Sequence, residues 1–188
     1  MLVAMNAVVV FESEFGATRA VAEAIARGLD SVVDRVTLLD ARDIAGGADA
    51  IRGADLVVVG TPTHARMMPS ARTRATAVTW PNRPGSTLTL QPHADAAGVR
   101  EWLRSADLDG CYCAAFATRS PVPRILAGSA SRGIARGLER AGGILVDERQ
   151  DFLVRGDGAP VEGELDRAHD WGRTLAGSVP VAAAGTAF

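Results

Sequence analysis

The sequence predicts a single α/β domain built on a doubly wound parallel sheet of five strands, with helices on both faces. Three observations favour this fold. The chain has 188 residues, which is a usual length for one domain. Its short apolar runs are nearly continuous, as in strands buried on both faces, and segments with helical periodicity separate them. We place the domain at residues 1–177 and a flexible tail at 178–188.

The first half of the chain contains three of the predicted strands. Residues 7–11 form a valine-rich run that ends at polar residues, and 35–39 and 55–60 are similar runs. Between the first two runs, apolar residues recur every four positions over 21–29, with charged residues on the opposite face. This spacing predicts an amphipathic helix that begins directly after Gly16.

The second half begins with a proline-rich stretch, residues 69–98, in which no helical period is sustained. We predict a long loop there, which could act as a lid, as a partner surface or as a poorly ordered insertion. A strand over 111–116 and a helix over 130–141, ended by two glycines, follow. The remaining predicted elements are a short helix at 98–105, strand segments at 144–146 and 152–154, and a last helix at 162–176.

Composition excludes several classes of function. All 20 basic residues are arginine, which excludes lysine chemistry, including Schiff-base catalysis and the phosphate-binding lysine of P-loop enzymes. The net charge of −2 gives no basic surface for nucleic acid. No apolar run is long enough to span a membrane and no signal-peptide pattern is present, so we expect a cytoplasmic protein. Cys111 and Cys113 suit core packing rather than a metal site.

Ligands of doubly wound sheets bind beyond the carboxyl ends of the strands, so the loops after the first, third and fourth strands are the candidate site. The first loop leads directly into a helix, where backbone N–H groups converge at the positive end of the dipole. Its hydroxyls and its glycine suit a phosphate monoester; an ordinary capped helix start is the alternative. The loop consists of Ser13, Glu14, Phe15, Gly16, Ala17 and Thr18.

These features together resemble the flavodoxin-like family, and the resemblance covers most of the chain. The family's phosphate loop usually reads Ser or Thr, any residue, Thr, Gly, any residue, Thr, and Ser13, Gly16 and Thr18 match it. Phe15 replaces the central threonine, which removes one hydroxyl and leaves a backbone N–H. The resemblance implies the flavodoxin-like strand order 2-1-3-4-5 and FMN as the cofactor.

The resemblance also assigns the other two loops to the flavin ring. His64 stands where the family often has a stacking aromatic residue; a solvent-facing histidine is the alternative. Phe116 either stacks on the ring or packs in the core, and Ala117 offers no side-chain hydrogen bond to the flavin. Arg119 either places positive charge near N1 and O2 or is a solvated arginine. The implied residues are Thr61, Pro62, Thr63, His64 and Ala65 in the second loop, and Phe116, Ala117, Thr118 and Arg119 in the third.

The family resemblance implies an FMN-binding protein active in electron transfer or in NAD(P)H-dependent reduction of a quinone or another small acceptor. Electron-carrying flavodoxins usually have a strongly acidic surface, which a net charge of −2 does not supply, so a reductase is favoured. The expected partners are a redox donor and a small-molecule or protein acceptor. A homodimer fits the family, whose flavin sites are often completed across a subunit interface.

The sequence leaves alternative classes of function. Phe15, Ala117 and an aromatic content of only 5% also suit a flavodoxin-like domain that has lost its flavin and acts as a binding module. A hydrolase or phosphotransferase has little support, because the sequence has no Gly-x-Ser-x-Gly elbow and no metal-ligand spacing.

Overall fold

The parallel sheet has the strand order that the sequence predicts. In the computed structural model, which describes residues 3–180, every strand pairing is parallel. The strands are β1 (Val3–Phe11), β2 (Val33–Asp40), β3 (Leu56–Pro62), β4 (Tyr112–Arg119), β5 (Ile144–Leu145) and β6 (Gln150–Leu153). The order across the sheet is β2, β1, β3, β4, and the position beyond β4 is shared by β5 and β6. The doubly wound fold is therefore confirmed.

Helices cover both faces of the sheet. They are α1 (Ala17–Asp30), α2 (Ile44–Arg52), α3 (Ala71–Ala77), α4 (Val99–Trp102), α5 (Arg124–Ala127), α6 (Ser131–Arg140) and α7 (Glu164–Ser178). One hydrophobic core lies between the sheet and the pair α1 and α7. A second core lies on the opposite face, beneath α2, α4 and α6.

The crossing of α1 and α7 depends on two glycines. A Cβ atom added to Gly28 would lie 2.1 Å from the backbone oxygen of His169, and one added to Gly172 would lie 2.3 Å from that of Ile25. The two helix backbones are therefore in direct contact, which only a residue without a side chain permits. This contact holds α1, whose N-terminus opens onto the candidate site.

Some element boundaries differ from the sequence-based prediction. β4 continues to Arg119, because Thr118 pairs with Pro62 of β3 and Arg119 with Leu153 of β6. Phe116, Ala117, Thr118 and Arg119 therefore belong to a strand, and their assignment to a loop was wrong. α2 was not predicted, because it contains the adjacent helix-disfavouring pair Gly46 and Gly47.

The proline-rich stretch at 69–98 is mostly irregular but contains α3 and a 3-10 turn at Trp80–Asn82. The helix predicted at 98–105 is the single turn of α4. Residues 181–188 of the predicted tail lie outside the described residues, and Ser178 ends α7. Within residues 3–180, no helix combines the length and apolar character needed to cross a membrane.

A buried arginine ties the 69–98 segment to the sheet. Arg74 of α3 is 1% exposed, and its Nη1 atom donates to Glu12 Oε1 at the end of β1, at 3.0 Å. Its Nη2 atom donates to Glu101 Oε2 of α4, at 2.8 Å. The second carboxylate oxygen of Glu12 accepts the backbone N–H of Val99, at 2.9 Å. The segment is thus fixed beside the carboxyl end of β1.

Candidate functional site

A cavity opens at the carboxyl edge of the sheet, where loops from β1, β3 and β4 meet. Its volume is about 540 Å³, within the usual range of small-molecule sites. The 69–98 segment and the turn after β6 complete its wall. The predicted site residues that line this cavity are Ser13, Glu14, Phe15, Ala17, Thr18, Pro62, Thr63, His64, Thr118 and Arg119.

The other predicted site residues are not among those that line the cavity. Gly16 forms the turn into α1, Thr61 is fully buried within β3, and Ala65 is exposed in a tight turn. Phe116 and Ala117 are successive residues of β4, so their side chains enter the two cores on opposite faces of the sheet.

Phe116 packs in the core rather than against a ligand. Its ring lies edge-on to Phe152 and Trp171, with centroid distances of 6.2 and 6.4 Å. A Cβ atom on Gly60 of the neighbouring strand would lie 2.0 Å from its Cζ atom, so Gly60 makes the space that the ring occupies. Of the two roles considered for Phe116, the structure therefore places it in core packing.

The first loop forms a cradle at the start of α1. Gly16 has a φ of 93°, the left-handed conformation that favours glycine, and its N–H donates to Ser13 Oγ at 3.0 Å. The hydroxyls of Thr18 and Thr118 are 2.7 Å apart and buried, so β4 orients a hydroxyl of the first loop. Free N–H groups at the N-terminus of a helix make such a cradle suitable for an anion.

The 69–98 segment covers this cradle. The backbone N–H of Gln91 donates to the carbonyl oxygen of Glu14 at 2.8 Å, and its side-chain Nε2 would lie 3.5 Å from a Cβ atom on Gly16. Further along the rim, Leu88 would lie 2.9 Å from a Cβ atom on Gly158, in the turn after β6. The segment therefore spans the site from the first loop to the last strand.

Trp80 lines this cavity and was not among the predicted site residues. Its indole stacks on Phe15, with centroids 5.7 Å apart and planes at 14°, and is tilted against His64 at 5.5 Å. The indole Nε1 is buried and has no hydrogen-bond partner among residues 3–180. A lone tryptophan in a proline-rich stretch directly after the second loop was the available signal. Burial of an N–H without an acceptor is unfavourable, so this donor is the least satisfied polar group of the aromatic wall.

His64 lines the cavity and is not the solvent-facing histidine of the alternative prediction. It is 5% exposed rather than solvent-facing, and it lies beside the Trp80 ring. Its loop is closed by a pair of 2.9 Å backbone hydrogen bonds with Met67, across Ala65 and Arg66, which both have positive φ. Burial, reinforced by the nearby Arg74 charge, lowers the pKa of His64 to about 4. The imidazole is therefore neutral at physiological pH.

Glu14 is a buried acid in the wall of the site. It is 2% exposed, both of its carboxyl oxygens lack a hydrogen bond within the described part of the chain, and Oε2 lies 3.7 Å from His64 Nε2. Burial and the neighbouring Glu12 raise the pKa of Glu14 well above its usual value. Arg74 opposes the increase but is already paired with Glu12. Glu14 therefore favours its neutral, protonated form.

Arg119 is held at the end of β4. Its Nη1 atom donates to the backbone oxygens of Ser120, at 3.1 Å, and Val122, at 2.9 Å, while its Nε lies 3.5 Å from Asp151 Oδ2. It is therefore neither a freely solvated arginine nor free to move. It adds a fixed positive charge to the cavity wall.

The cavity fits the FMN that the sequence resemblance implies. The cradle beneath Gln91 offers hydroxyls and backbone N–H groups for a phosphate, and the Arg119 guanidinium adds positive charge. The other part has an aromatic wall, Phe15 and Trp80, and an unpaired buried N–H. Glu14 lies in the same wall, and the burial that raises its pKa disfavours the carboxylate form, which would repel a phosphate.

Comparison with known proteins identifies the same family. The family model for flavodoxin matches residues 9–171. The fold is similar to an archaeal flavodoxin, with 21% identity and a TM-score of 0.61 over 93% of this chain and 99% of that one. It is also similar to flavodoxin 1 of Bacillus cereus, with 17% identity and a TM-score of 0.62 over 91% and 97% of the two chains.

A flavodoxin of the WrbA-like type from Agrobacterium tumefaciens is a further structural relative, with 19% identity and a TM-score of 0.55 over 94% and 98% of the two chains. A comparison with curated proteins found no match. The family model covers most of the chain, and its match begins in β1 and ends in α7. This protein therefore belongs to the flavodoxin family, whose members are FMN-binding electron-transfer flavoproteins.

Proposed function

We propose that the protein binds FMN in the cavity at the carboxyl edge of the sheet and reduces a quinone or another small acceptor with electrons from NAD(P)H. The observation that carries this proposal is the convergence of three loops, each following a strand, on one cavity under an unpaired indole N–H. When bound, FMN would supply the hydride and electron chemistry, so the protein needs no catalytic side chain of its own.

The protein's part in this function is to bind and orient the cofactor. The hydroxyls of Ser13 and Thr18 and the N–H groups at the start of α1 would hold the phosphate. Phe15 and Trp80 would contact the ring system, and the Trp80 N–H would donate to one of its polar atoms. Arg119 would favour negative charge on the reduced ring.

The 69–98 segment makes a small acceptor more suitable than a large one. It runs from Gln91 over the first loop to Leu88 beside the turn after β6, so it excludes water from one side of the cavity. The exposed Arg83, with its guanidinium carbon 5.2 Å from the centre of the Trp80 ring, stands at the mouth of the cavity. It is a candidate to contact a phosphate of NAD(P)H. A cytoplasmic location and a homodimer stay predictions.

A flavin-free binding module is the second candidate function. The observation in its favour is the stack of Phe15 on Trp80, because Phe15 replaces a threonine and its ring fills part of the cavity. A site filled by its own side chains would have less room for a flavin.

The direct test is titration of the flavin-free protein with FMN, followed by flavin fluorescence, with riboflavin as the control that lacks the phosphate. We expect saturable FMN binding that is at least tenfold tighter than riboflavin binding, because charge-assisted phosphate contacts contribute roughly 1.5–3 kcal/mol. NAD(P)H-driven reduction of a soluble quinone by the loaded protein then tests the reaction. If neither flavin binds, the binding-module function replaces this proposal.

A further inference from the structure

A second cavity, of about 600 Å³, lies between α4, α6 and the loop after β3. Its floor contains Gly133 and Gly137 of α6, where an added Cβ atom would lie 3.2 Å from Met68 and 2.7 Å from Leu103. Among the described residues that line it, none is acidic and six are arginines. We call this cavity the arginine groove, after Arg66, Arg100, Arg104, Arg132, Arg136 and Arg140.

Four of these six arginines have no partner among the described residues. Arg66 Nη2 donates to the backbone oxygen of Ile125 at 2.7 Å, and Arg100 Nε donates to that of Pro69 at 2.6 Å, so these two are fixed in place with their charges unneutralised. The remaining four are exposed and make no hydrogen bond or ion pair within residues 3–180: Arg104, Arg132, Arg136 and Arg140.

The spacing on α6 concentrates positive charge along a line. Arg132, Arg136 and Arg140 follow one another at intervals of one helical turn, about 6 Å along the axis. Like charges at this spacing destabilise a helix, and no carboxylate of the groove wall offsets them. Glu139, also on α6, is not part of the wall. The groove therefore favours an occupant that brings several negative charges.

An exposed apolar surface adjoins the groove. Met67, Ile125 and Leu126 are 61, 78 and 67% exposed, and we call these three residues the apolar rim. The hydrogen bond from Arg66 to Ile125 joins α5 to the loop that carries Met67. That loop is the one closed by the His64 and Met67 backbone pair, so the rim is joined by backbone hydrogen bonds to a residue that lines the first cavity.

The arginine groove and the apolar rim together indicate which kind of molecule binds there. A second copy of the chain related by two-fold symmetry would bring one arginine groove against the other, and the like charges would repel. A small phosphate compound would leave the apolar rim exposed to water. A protein with carboxylates beside an apolar patch satisfies both surfaces, and Met and Arg are enriched in protein interfaces.

We propose that the arginine groove and the apolar rim form the docking surface for an acidic one-electron redox protein that accepts electrons from the bound FMN. NAD(P)H would supply two electrons to FMN, and two successive encounters would each oxidise FMN by one electron and reduce the partner's redox centre by one. This inference rests on the proposed FMN-dependent function. The net charge of −2 gives no indication of this basic surface, because 22 acidic residues elsewhere offset the 20 arginines of the chain. Electron-carrying flavodoxins usually have an acidic surface, whereas this surface is basic. The partner of this surface is therefore acidic.

The test measures association of the full chain, saturated with FMN, with a fluorescently labelled acidic [2Fe–2S] ferredoxin, using a basic cytochrome c for comparison. We expect the association rate with ferredoxin to fall at least tenfold between roughly 20 and 500 mM salt. The double variant Arg132→Glu/Arg136→Glu should associate at least tenfold more slowly at low salt. Arg27→Glu/Arg173→Glu is the matched control, with the same net charge on the α1 and α7 face, and should associate nearly as fast as the unmodified protein.

Equal slowing by the two double variants, or equally fast association with the cytochrome, would overturn the docking surface. Tighter binding of tripolyphosphate or duplex DNA than of ferredoxin at the groove would also overturn it. FMN titration of each variant separates the two proposals. If FMN binds but ferredoxin does not, the surface is wrong and the proposed function stands. If FMN does not bind but the arginine-dependent association persists, the groove binds an acidic protein, and both the proposed function and the electron transfer are wrong.

Discussion

The indole ring of Trp80 lies nearly parallel to the phenyl ring of Phe15, with 5.7 Å between centroids and 14° between planes. Trp80 belongs to the 69–98 segment and Phe15 to the loop after β1, so the stack holds the segment against that loop. Such pairs add about 0.5–1.5 kcal/mol beyond the area they bury. Together with Arg74, this contact makes the segment part of the site rather than an appendage.

Replacing Trp80 with phenylalanine should weaken FMN binding about three- to tenfold. The variant keeps an aromatic ring against Phe15 but loses the buried N–H, and one net hydrogen bond is worth roughly 0.5–1.5 kcal/mol. The measurement is the dissociation constant for FMN by fluorescence titration. Trp102→Phe, at the end of α4 and away from the cavity, is the control. Equal affinities for Trp80→Phe and the unmodified protein would show that the indole N–H does not contact FMN.

Replacing Gly16 with valine should abolish detectable FMN binding. A φ of 93° strains any β-branched residue and displaces the N–H groups of the cradle. Gly110→Val is a matched control, because Gly110 has a φ of 72° and open space around it. Both variants should lose roughly 1–2 kcal/mol of unfolding free energy in urea. If Gly16→Val retains normal FMN affinity, the first loop is not the phosphate site.

Replacing Arg74 with methionine should destabilise the protein by about 3–5 kcal/mol, because Glu12 would be left buried without its cation. The 69–98 segment should also become open to proteases, since α3 loses its link to β1. Urea unfolding and limited proteolysis measure the two effects. Arg72→Met on the exposed side of the same helix should change stability by less than about 0.5 kcal/mol. Similar stabilities for the two variants would show that the buried ion pair does not anchor the segment.

Replacing Glu14 with glutamine should stabilise the protein at pH 7. The folded state raises the pKa of Glu14 above its ordinary value of 4.5, so at higher pH folding must either take up a proton at Glu14 or bury its carboxylate, and both cost stability. Protonation removes this penalty as the pH falls towards 4.5, which makes stability rise in that direction. The variant should lack both the penalty and the rise. Urea unfolding from pH 7 to about 4.5 tests this, and a less stable variant at pH 7 would contradict it.

His64 should act in the opposite direction to Glu14. Its pKa falls from 6.5 to about 4 on folding, so the unfolded chain takes up a proton first as the pH decreases. The resulting loss of stability between pH 6.5 and 4 is about 3 kcal/mol. His64→Phe keeps a ring against Trp80 and should remove this loss in urea unfolding at pH 6.5 and 4. An unchanged pH profile would show that His64 protonates normally in the folded state.

The elements most readily predicted from sequence are those whose pattern reflects burial on both faces. Residues 7–11 lie in β1, and residues 56–60 of the strand predicted at 55–60 lie in β3. These two strands are at the centre of the switch point, and their apolar runs are uninterrupted for that reason. The place of Gly16 at the start of α1 could likewise be predicted, because its conformation and the helix after it depend on local sequence. The position of the cavity followed from these features, whereas the order of strands was implied by the family resemblance.

The residues that were missed are placed by contacts distant in sequence. Trp80 reaches the cavity because Arg74, six residues earlier, binds Glu12 at a separation of 62 residues. Phe116 enters the core because Gly60 on the neighbouring strand leaves room for its ring. Neither relationship has a periodic signal in the chain, so local pattern could not predict the aromatic wall of the site.

The divided outer position of the sheet has a consequence for how copies of this chain meet. β5 has two residues and β6 has four, and residues 146–149 separate them. A long uninterrupted edge strand offers a row of free N–H and C=O groups on which another molecule can add a strand. Here that row is broken into two short pieces, so this side of the sheet is protected against growth by strand addition, a common route to aggregation.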